Sequence, residues 1–260
     1  MNGLTRFVFF PVIIAAFFAI YSFTPSPLYF PGNRYLNSTA NLIAPYSEWS
    51  IFSNVLSAVP LSFSESKKPL YDSLHLDMVG LSRGVFEMAL RGMEKLKNTS
   101  LLQTDILSII DFSKASTEKR LFVIDLDNVE LLYNTWVAHG RNSGEVMANS
   151  FSNKPRSQKS SLGFYITGPA YRGTNGYSLK LLGMEKGINN NALKRAIVIH
   201  GADYVNTEYI QSQGYIGRSQ GCPAVAPALC RPIINTIKEG SCLFIYHPTS
   251  VYLTRSTMIR

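Results

Sequence analysis

Between residues 105 and 247 the chain is cut into short apolar runs, and their length constrains the fold more than any other feature. The runs are 105–112, 121–125, 129–138, 164–167, 178–182, 196–200 and 242–247. Most are bounded on at least one side by Gly, Asn, Ser or Pro. Runs this short do not complete an amphipathic helix of about 10–12 residues, whereas β-strands of four to eight residues are ordinary. Asp127-Asn128 between two runs reads as a hairpin turn. Helical period appears before them, in 70–98, where Val85, Phe86, Ala89, Leu90, Met93 and Leu96 recur on one face behind Ser82 as N-cap. Pro232 at a first helical position and Gly240 past the end bracket a second helix over 233–239. Many short strands with few helices predict a mainly β fold, a sandwich or barrel.

The division expected from this pattern is 1–23, an export signal or anchor; 24–69, a linker rich in Ser, Pro and Asn with one short helical turn near 47–59; 70–104, a helical N-terminal region; and 105–260, the β-rich body. Arg6 precedes the apolar run 7–23, broken only by Pro11 and Ser22. That is the n-region and h-region pattern of an exported protein. Both a cleaved signal and an uncleaved anchor fit, and either places the body in a periplasm or cell envelope. The net charge is +8, which suits a polyanion or an anionic surface. The cations are scattered and no nucleic-acid-binding motif is present, so nucleic acid is not an expected partner. A membrane is expected only through an N-terminal anchor.

Cysteine and histidine carry the chemistry. Ile197-Val198-Ile199-His200-Gly201 reads as a strand ending on a histidine, and Gly217-Arg218-Ser219-Gln220-Gly221-Cys222-Pro223 as a glycine-bounded loop ending on a cysteine. Covalent catalysis by a thiol needs a base within hydrogen-bond reach and N–H groups for an oxyanion. Cys222 is the candidate nucleophile and His200 the candidate base. The N–H groups of Gly221 and Cys222, with Ser219, are candidates for the oxyanion hole. Pro223 predicts a short helix directly after the cysteine, whose N-terminus would favour the thiolate. Arg218 is a candidate to hold a substrate carboxylate. The other cysteines, Cys230 and Cys242, read as small buried hydrophobes, with pairing left open. Four scattered histidines and no Cys-x-x-Cys give no metal site, and no cofactor is expected.

Several phrases, taken together and in order, resemble a known family. They are Ile109-Ile110-Asp111-Phe112-Ser113-Lys114, Val137-Ala138-His139-Gly140-Arg141-Asn142-Ser143-Gly144, Ser161-Leu162-Gly163-Phe164-Tyr165, Ala196 to Tyr204, and Gly217 to Ala224. The chain from about 70 to 247 is similar to the murein L,D-transpeptidase catalytic domain family, a branch of the YkuD-like L,D-transpeptidases. Two positions depart from the wider pattern: Gln220 stands where a histidine precedes Gly-Cys, and Pro223-Ala224-Val225 stands where an arginine follows. The resemblance implies a β-rich L,D-transpeptidase fold with a helical N-terminal addition, acting on peptidoglycan stem peptides. It implies that Cys222 attacks the third-residue carbonyl of a tetrapeptide stem, releases D-alanine and passes the acyl group to an amine. Water as acceptor would give an L,D-carboxypeptidase, and loss of chemistry a wall-binding module. It also implies substrate contacts from His139, Gly140, Arg141 and Gly163. The group that orients His200 is either the Gly201 carbonyl or Asp203.

Overall fold

The computed structural model describes residues 60–260. The apolar run 7–23, the turn near 47–59 and most of the linker lie outside the described residues. The elements in order are α1 (Phe63–Lys67), α2 (Leu70–Ser73), α3 (Arg83–Lys97), β1 (Ile106–Asp111), β2 (Leu121–Asp125), β3 (Glu130–Thr135), β4 (Gly163–Gly173), β5 (Gly176–Gly183), β6 (Val198–Gly201), α4 (Thr207–Gln213), β7 (Ala224–Val225), α5 (Pro227–Ile237), β8 (Cys242–Tyr246) and α6 (Ser250–Arg255). Among the described residues no helix is long and apolar enough to cross a membrane.

The apolar stripe of α3 is the reason it exists as a tertiary element. Ser82 caps it, its Oγ accepting from the Val85 N–H at 3.4 Å. Its buried face is Val85, Phe86, Ala89, Leu90, Gly92, Met93 and Leu96. Gly92 lets the helix approach the sheet: a Cβ there would lie 2.0 Å from the Phe164 ring. Phe164 in turn stacks on Phe244 with centroids 4.2 Å apart. Helix, β4 and β8 thus share one core.

All eight strands join one sheet in the order β3-β2-β1-β8-β4-β5-β6-β7. The pairs β1/β8 and β6/β7 are parallel, and the others antiparallel. The two end strands do not stay apart. Beyond β3 the chain runs on to Ala138, whose N–H donates to the Ala224 carbonyl at 2.8 Å while the Ala224 N–H returns to Ala138 at 3.4 Å. Gly140 bridges Ser219 next. The sheet is therefore a nearly closed barrel, which removes most exposed edge. The mainly β, barrel-like class expected from the run lengths is the fold observed.

Two helix expectations are corrected. Pro232 lies inside α5, and Pro227 holds the first-turn position instead. No helix follows Cys222, because Ala224-Val225 is held extended as β7 between β6 and the 138 segment. One strand is longer than the sequence indicates. β4 continues through Gly168-Pro169 to Gly173, absorbing the proline at a register shift between Thr167 and Ala170, the position in a sheet that tolerates one.

Candidate active site

The site is built on the parallel pair β6/β7. Val198 and Ile199, β-branched and buried, make β6 a core strand that carries His200 at its next-to-last position, before Gly201. Register pairs His200 with Ala224. Cys222 lies two residues before Ala224, just ahead of β7. Its Sγ sits 3.6 Å from the Ala196 carbonyl. Burial pushes the Cys222 thiol up from its ordinary value, opposed by the Val198 backbone and the Arg195 cation. Without a helix N-terminus beside it, the sulfur is held as a thiol until a base takes its proton.

The ring of His200, the candidate base, is oriented by one hydrogen bond. His200 Nδ1 lies 2.9 Å from the Gly201 carbonyl oxygen. A carbonyl only accepts, so Nδ1 carries a proton, and in the neutral tautomer this contact selects, Nε2 is the acceptor nitrogen. Asp203, the other candidate orienter, is exposed and makes no hydrogen bond or ion pair with the imidazole among the described residues; its backbone carbonyl accepts from Asn206. The Gly201 carbonyl is therefore the orienting contact.

The cysteine loop is braced by its own serine. Ser219 Oγ accepts from the Gly221 N–H at 3.0 Å and donates to the Cys222 carbonyl at 2.6 Å. This corrects the expected oxyanion hole: the Gly221 N–H is already used, and Ser219 is spent on holding the turn. The Cys222 N–H has no hydrogen-bond partner among the described residues and remains the backbone donor. Gly221 adopts φ +121°, and a Cβ there would stand 2.8 Å from the Lys159 carbonyl. Gly140 packs against it from the other side, where a Cβ would be 2.8 Å from Gly221 Cα and 2.5 Å from the Gln158 carbonyl. Buried Ser160 ties the two glycines, its Oγ accepting from the Gly140 N–H at 3.0 Å and donating to the Gly221 carbonyl at 3.3 Å.

His139 does not line a cleft. It is fully buried, with Nδ1 2.8 Å from Arg120 Nη2 and Nε2 3.2 Å from the Gly144 carbonyl. The guanidinium can only donate, so Nδ1 accepts and Nε2–H donates. Burial first, then the Arg120 charge, push the imidazole down to about 4. Its ring braces the 140–144 turn. Gly163 is also buried, and a Cβ there would lie 2.3 Å from Glu185 Oε1. Arg141 is exposed. Arg218 Nη1 donates to the Gly144 carbonyl at 3.1 Å and lies 3.7 Å from Glu145 Oε1, with the guanidinium over the Tyr215 ring at 5.2 Å. Cys230 and Cys242 are both buried and free. Two hollows flank these elements. One of about 310 Å³ touches Gly201, Asp203, Cys230 and Arg231; one of about 400 Å³, lined by Phe151, Leu162, Ile188 and Tyr252 among others, contains none of the expected site residues.

A family model described as the L,D-transpeptidase catalytic domain matches residues 77–246, well over half of the chain. The chain belongs to that family. Solved structures similar to it include an L,D-transpeptidase from Mycobacterium smegmatis, at 13% identity over 55% of this chain and 59% of that one, with a TM-score of 0.34. Another is an L,D-transpeptidase from Mycobacterium tuberculosis H37Rv, at 11% over 55% and 58%, with a TM-score of 0.36. A third is the helical cell shape determining protein Pgp2 from Campylobacter jejuni, at 11% over 65% and 58%, with a TM-score of 0.39. The chain spans less than two thirds of each of these. Likeness at this level leaves the assignment to the family match alone. No curated protein matches the chain.

In this L,D-transpeptidase domain, three residues that position the site were not singled out in the sequence. Arg120 is fully buried, donating to the Val137 carbonyl at 2.9 Å, the Lys114 carbonyl at 2.9 Å and His139. Burial lowers it to about 9. Ser160 joins Gly140 to Gly221, and Arg195 lies beneath the cysteine loop. A lone arginine or serine in a polar stretch carries no period and no spacing, so nothing local distinguishes them. Among the described residues no three His, Cys, Asp or Glu side chains gather as a metal-holding group.

Proposed function

We propose that this domain is a peptidoglycan L,D-transpeptidase that uses Cys222 as nucleophile and His200 as base. The observation that carries the reading is the His200 Nδ1 to Gly201 carbonyl contact of 2.9 Å, which leaves Nε2 without a partner among the described residues, on the strand that pairs with Ala224, two residues after Cys222. His200 Nε2 takes the Cys222 proton, and the sulfur attacks the third-residue carbonyl of a tetrapeptide stem. The Cys222 N–H donates to the oxyanion that forms. The peptide bond to the terminal D-alanine breaks, and His200 returns its proton to the leaving amine. The resulting thioester is attacked by a side-chain amine of a second stem, which loses a proton to His200. The product is a 3→3 crosslink and a restored thiol. Arg218 and exposed Arg141 are the cations available to a stem carboxylate. Export through the N-terminal apolar run would deliver the domain to its polymer.

Water in place of the amine would give an L,D-carboxypeptidase. Thiol, base and donor serve both outcomes, and the acceptor alone separates them. The test is incubation of the purified protein with a disaccharide-tetrapeptide, with products read by mass spectrometry. A dimer with loss of D-alanine establishes the transpeptidase, and tripeptide alone the carboxypeptidase. Unchanged substrate, with Cys222 unmodified by a carbapenem, supports a wall-binding module instead.

A further inference from the structure

We propose that Arg195 is a positioning residue that holds an unpaired positive charge against the Cys222 loop and so favours the anionic sulfur. The inference rests on Cys222 as the reacting thiol and adds a residue to that site. Arg195 immediately precedes Ala196, whose carbonyl lies 3.6 Å from the sulfur. Its side chain turns under the loop, with Nη2 3.4 Å from where a Cβ on Gly221 would stand. The guanidinium is held by neutral oxygens only. Nη1 donates to the Ser152 carbonyl at 2.6 Å and to Ser161 Oγ; Nη2 donates to the Lys159 carbonyl at 2.7 Å and Ser157 Oγ at 3.2 Å. Nε is buried and has no partner among the described residues. No carboxylate pairs with Arg195 in any ion pair among them.

An arginine bonded only to neutral oxygens keeps its full charge, and in a partly desolvated site that charge acts strongly on a neighbour. The other ionisable groups near the sulfur do not supply a second cation held in this way. Lys159 turns its ammonium to Ser150 Oγ at 2.6 Å. Tyr204, whose hydroxyl is pushed up to about 12 by burial and by Cys222, stays neutral. His200 is the base itself. The arginine thus opposes the burial that holds the thiol protonated, and its four bonds fix the 152–161 segment against Gly221. One side chain sets both the field at the sulfur and the wall of the loop.

The test is the rate of iodoacetamide alkylation of the Cys222 peptide between pH 6 and 11, read by mass spectrometry. It is run on the full chain, and again in a His200→Ala background so that the imidazole does not confuse the titration. Arg195→Gln should raise the midpoint by about one pH unit, with alkylation near pH 7 about tenfold slower. Arg195→Lys should keep the midpoint near that of the native protein. It should nonetheless loosen the 152–161 segment, seen as faster tryptic cleavage after Lys154 or Arg156. An unchanged midpoint in Arg195→Gln, or an equal rise in Arg195→Lys, would overturn the proposal. Crosslinking of the tetrapeptide is measured in parallel. A midpoint that follows Arg195 in a protein forming no product supports this inference while removing the transpeptidase reading.

Discussion

Two His-Gly pairs in this chain meet opposite fates. His200-Gly201 ends β6, and His139-Gly140 follows β3 across the closure of the barrel. In the first pair, one ring nitrogen rests on a carbonyl at 2.9 Å and no second nitrogen contact is made among the described residues. In the second, both ring nitrogens are occupied, one by the buried Arg120 and one by the Gly144 carbonyl. The same dipeptide thus keeps one ring nitrogen without a partner in one place and is a brace in the other. The difference lies in what the fold brings to each ring: a single carbonyl at one, a fully buried guanidinium and a second carbonyl at the other. A histidine becomes chemically available only where the fold leaves a nitrogen unspent.

That contrast can be broken most sharply at the first pair. Cys222→Ala should give no detectable crosslink or tripeptide, with an unchanged melting temperature. His200→Ala should lower turnover by about 10²–10⁴-fold, also without loss of stability. Activity retained in Cys222→Ala would remove the nucleophile assignment, and unfolding of His200→Ala would make that ring structural like its counterpart.

At the second pair the expected effect is on stability. His139→Ala strips a partner from the buried Arg120 and should cost about 3 kcal/mol in denaturant unfolding. The pH dependence has a definite sign. His139 is held at about 4 in the fold, against about 6.5 in an unfolded chain. Between these values the unfolded state binds more protons. The stability that comes from the neutral ring is complete above about pH 6.5 and is lost as pH falls toward 4. It amounts to about 3 kcal/mol at most. Thermal melts of the native protein from pH 7 to 4 should show this decline, and His139→Asn should flatten it. A native melting temperature that is level across the window would show that the ring is not held neutral.

A smaller effect links the pairs. Gly140→Ala would drive a methyl into the Gln158 carbonyl and Gly221 Cα, both backbone atoms. It should displace the cysteine loop and reduce turnover by about tenfold or more, since small misplacements near a reacting group are expensive. The smallest effect is expected at Asp203, which is exposed and away from the imidazole. Asp203→Asn should leave turnover within about twofold. A larger loss would restore the side chain as an orienter and demote the Gly201 carbonyl.

Much of the architecture could be read locally. Ser82 and the Val85 to Leu96 stripe announce α3, because capping and a 3.6-residue period are properties of neighbours in sequence. The runs at 121–125 and 242–247 announce β2 and β8 for the same reason. Pro227 and Pro232 show where that reasoning fails. Either proline suits a first turn, and only the packing of Ile233, Ile234 and Ile237 into the core selects the longer helix that carries Pro232 inside it. β7 is a harder case. Ala224-Val225 is too short to register as a strand, and pairing on both of its sides holds it extended.

Period, turn chemistry and side-chain type are local properties, and they suffice for the strand-rich class, the capped helix, and a cysteine and a histidine carried on a glycine loop and a strand end. Which nitrogen of His200 lacks a partner, the engagement of the Gly221 N–H by Ser219, and the placing of Arg120 and Arg195 behind the two loops emerge only from the folded chain. Those outcomes depend on groups far apart in the chain competing for the same hydrogen bonds in a space closed to water. Burial and partner geometry, set by how the barrel closes, fix the result.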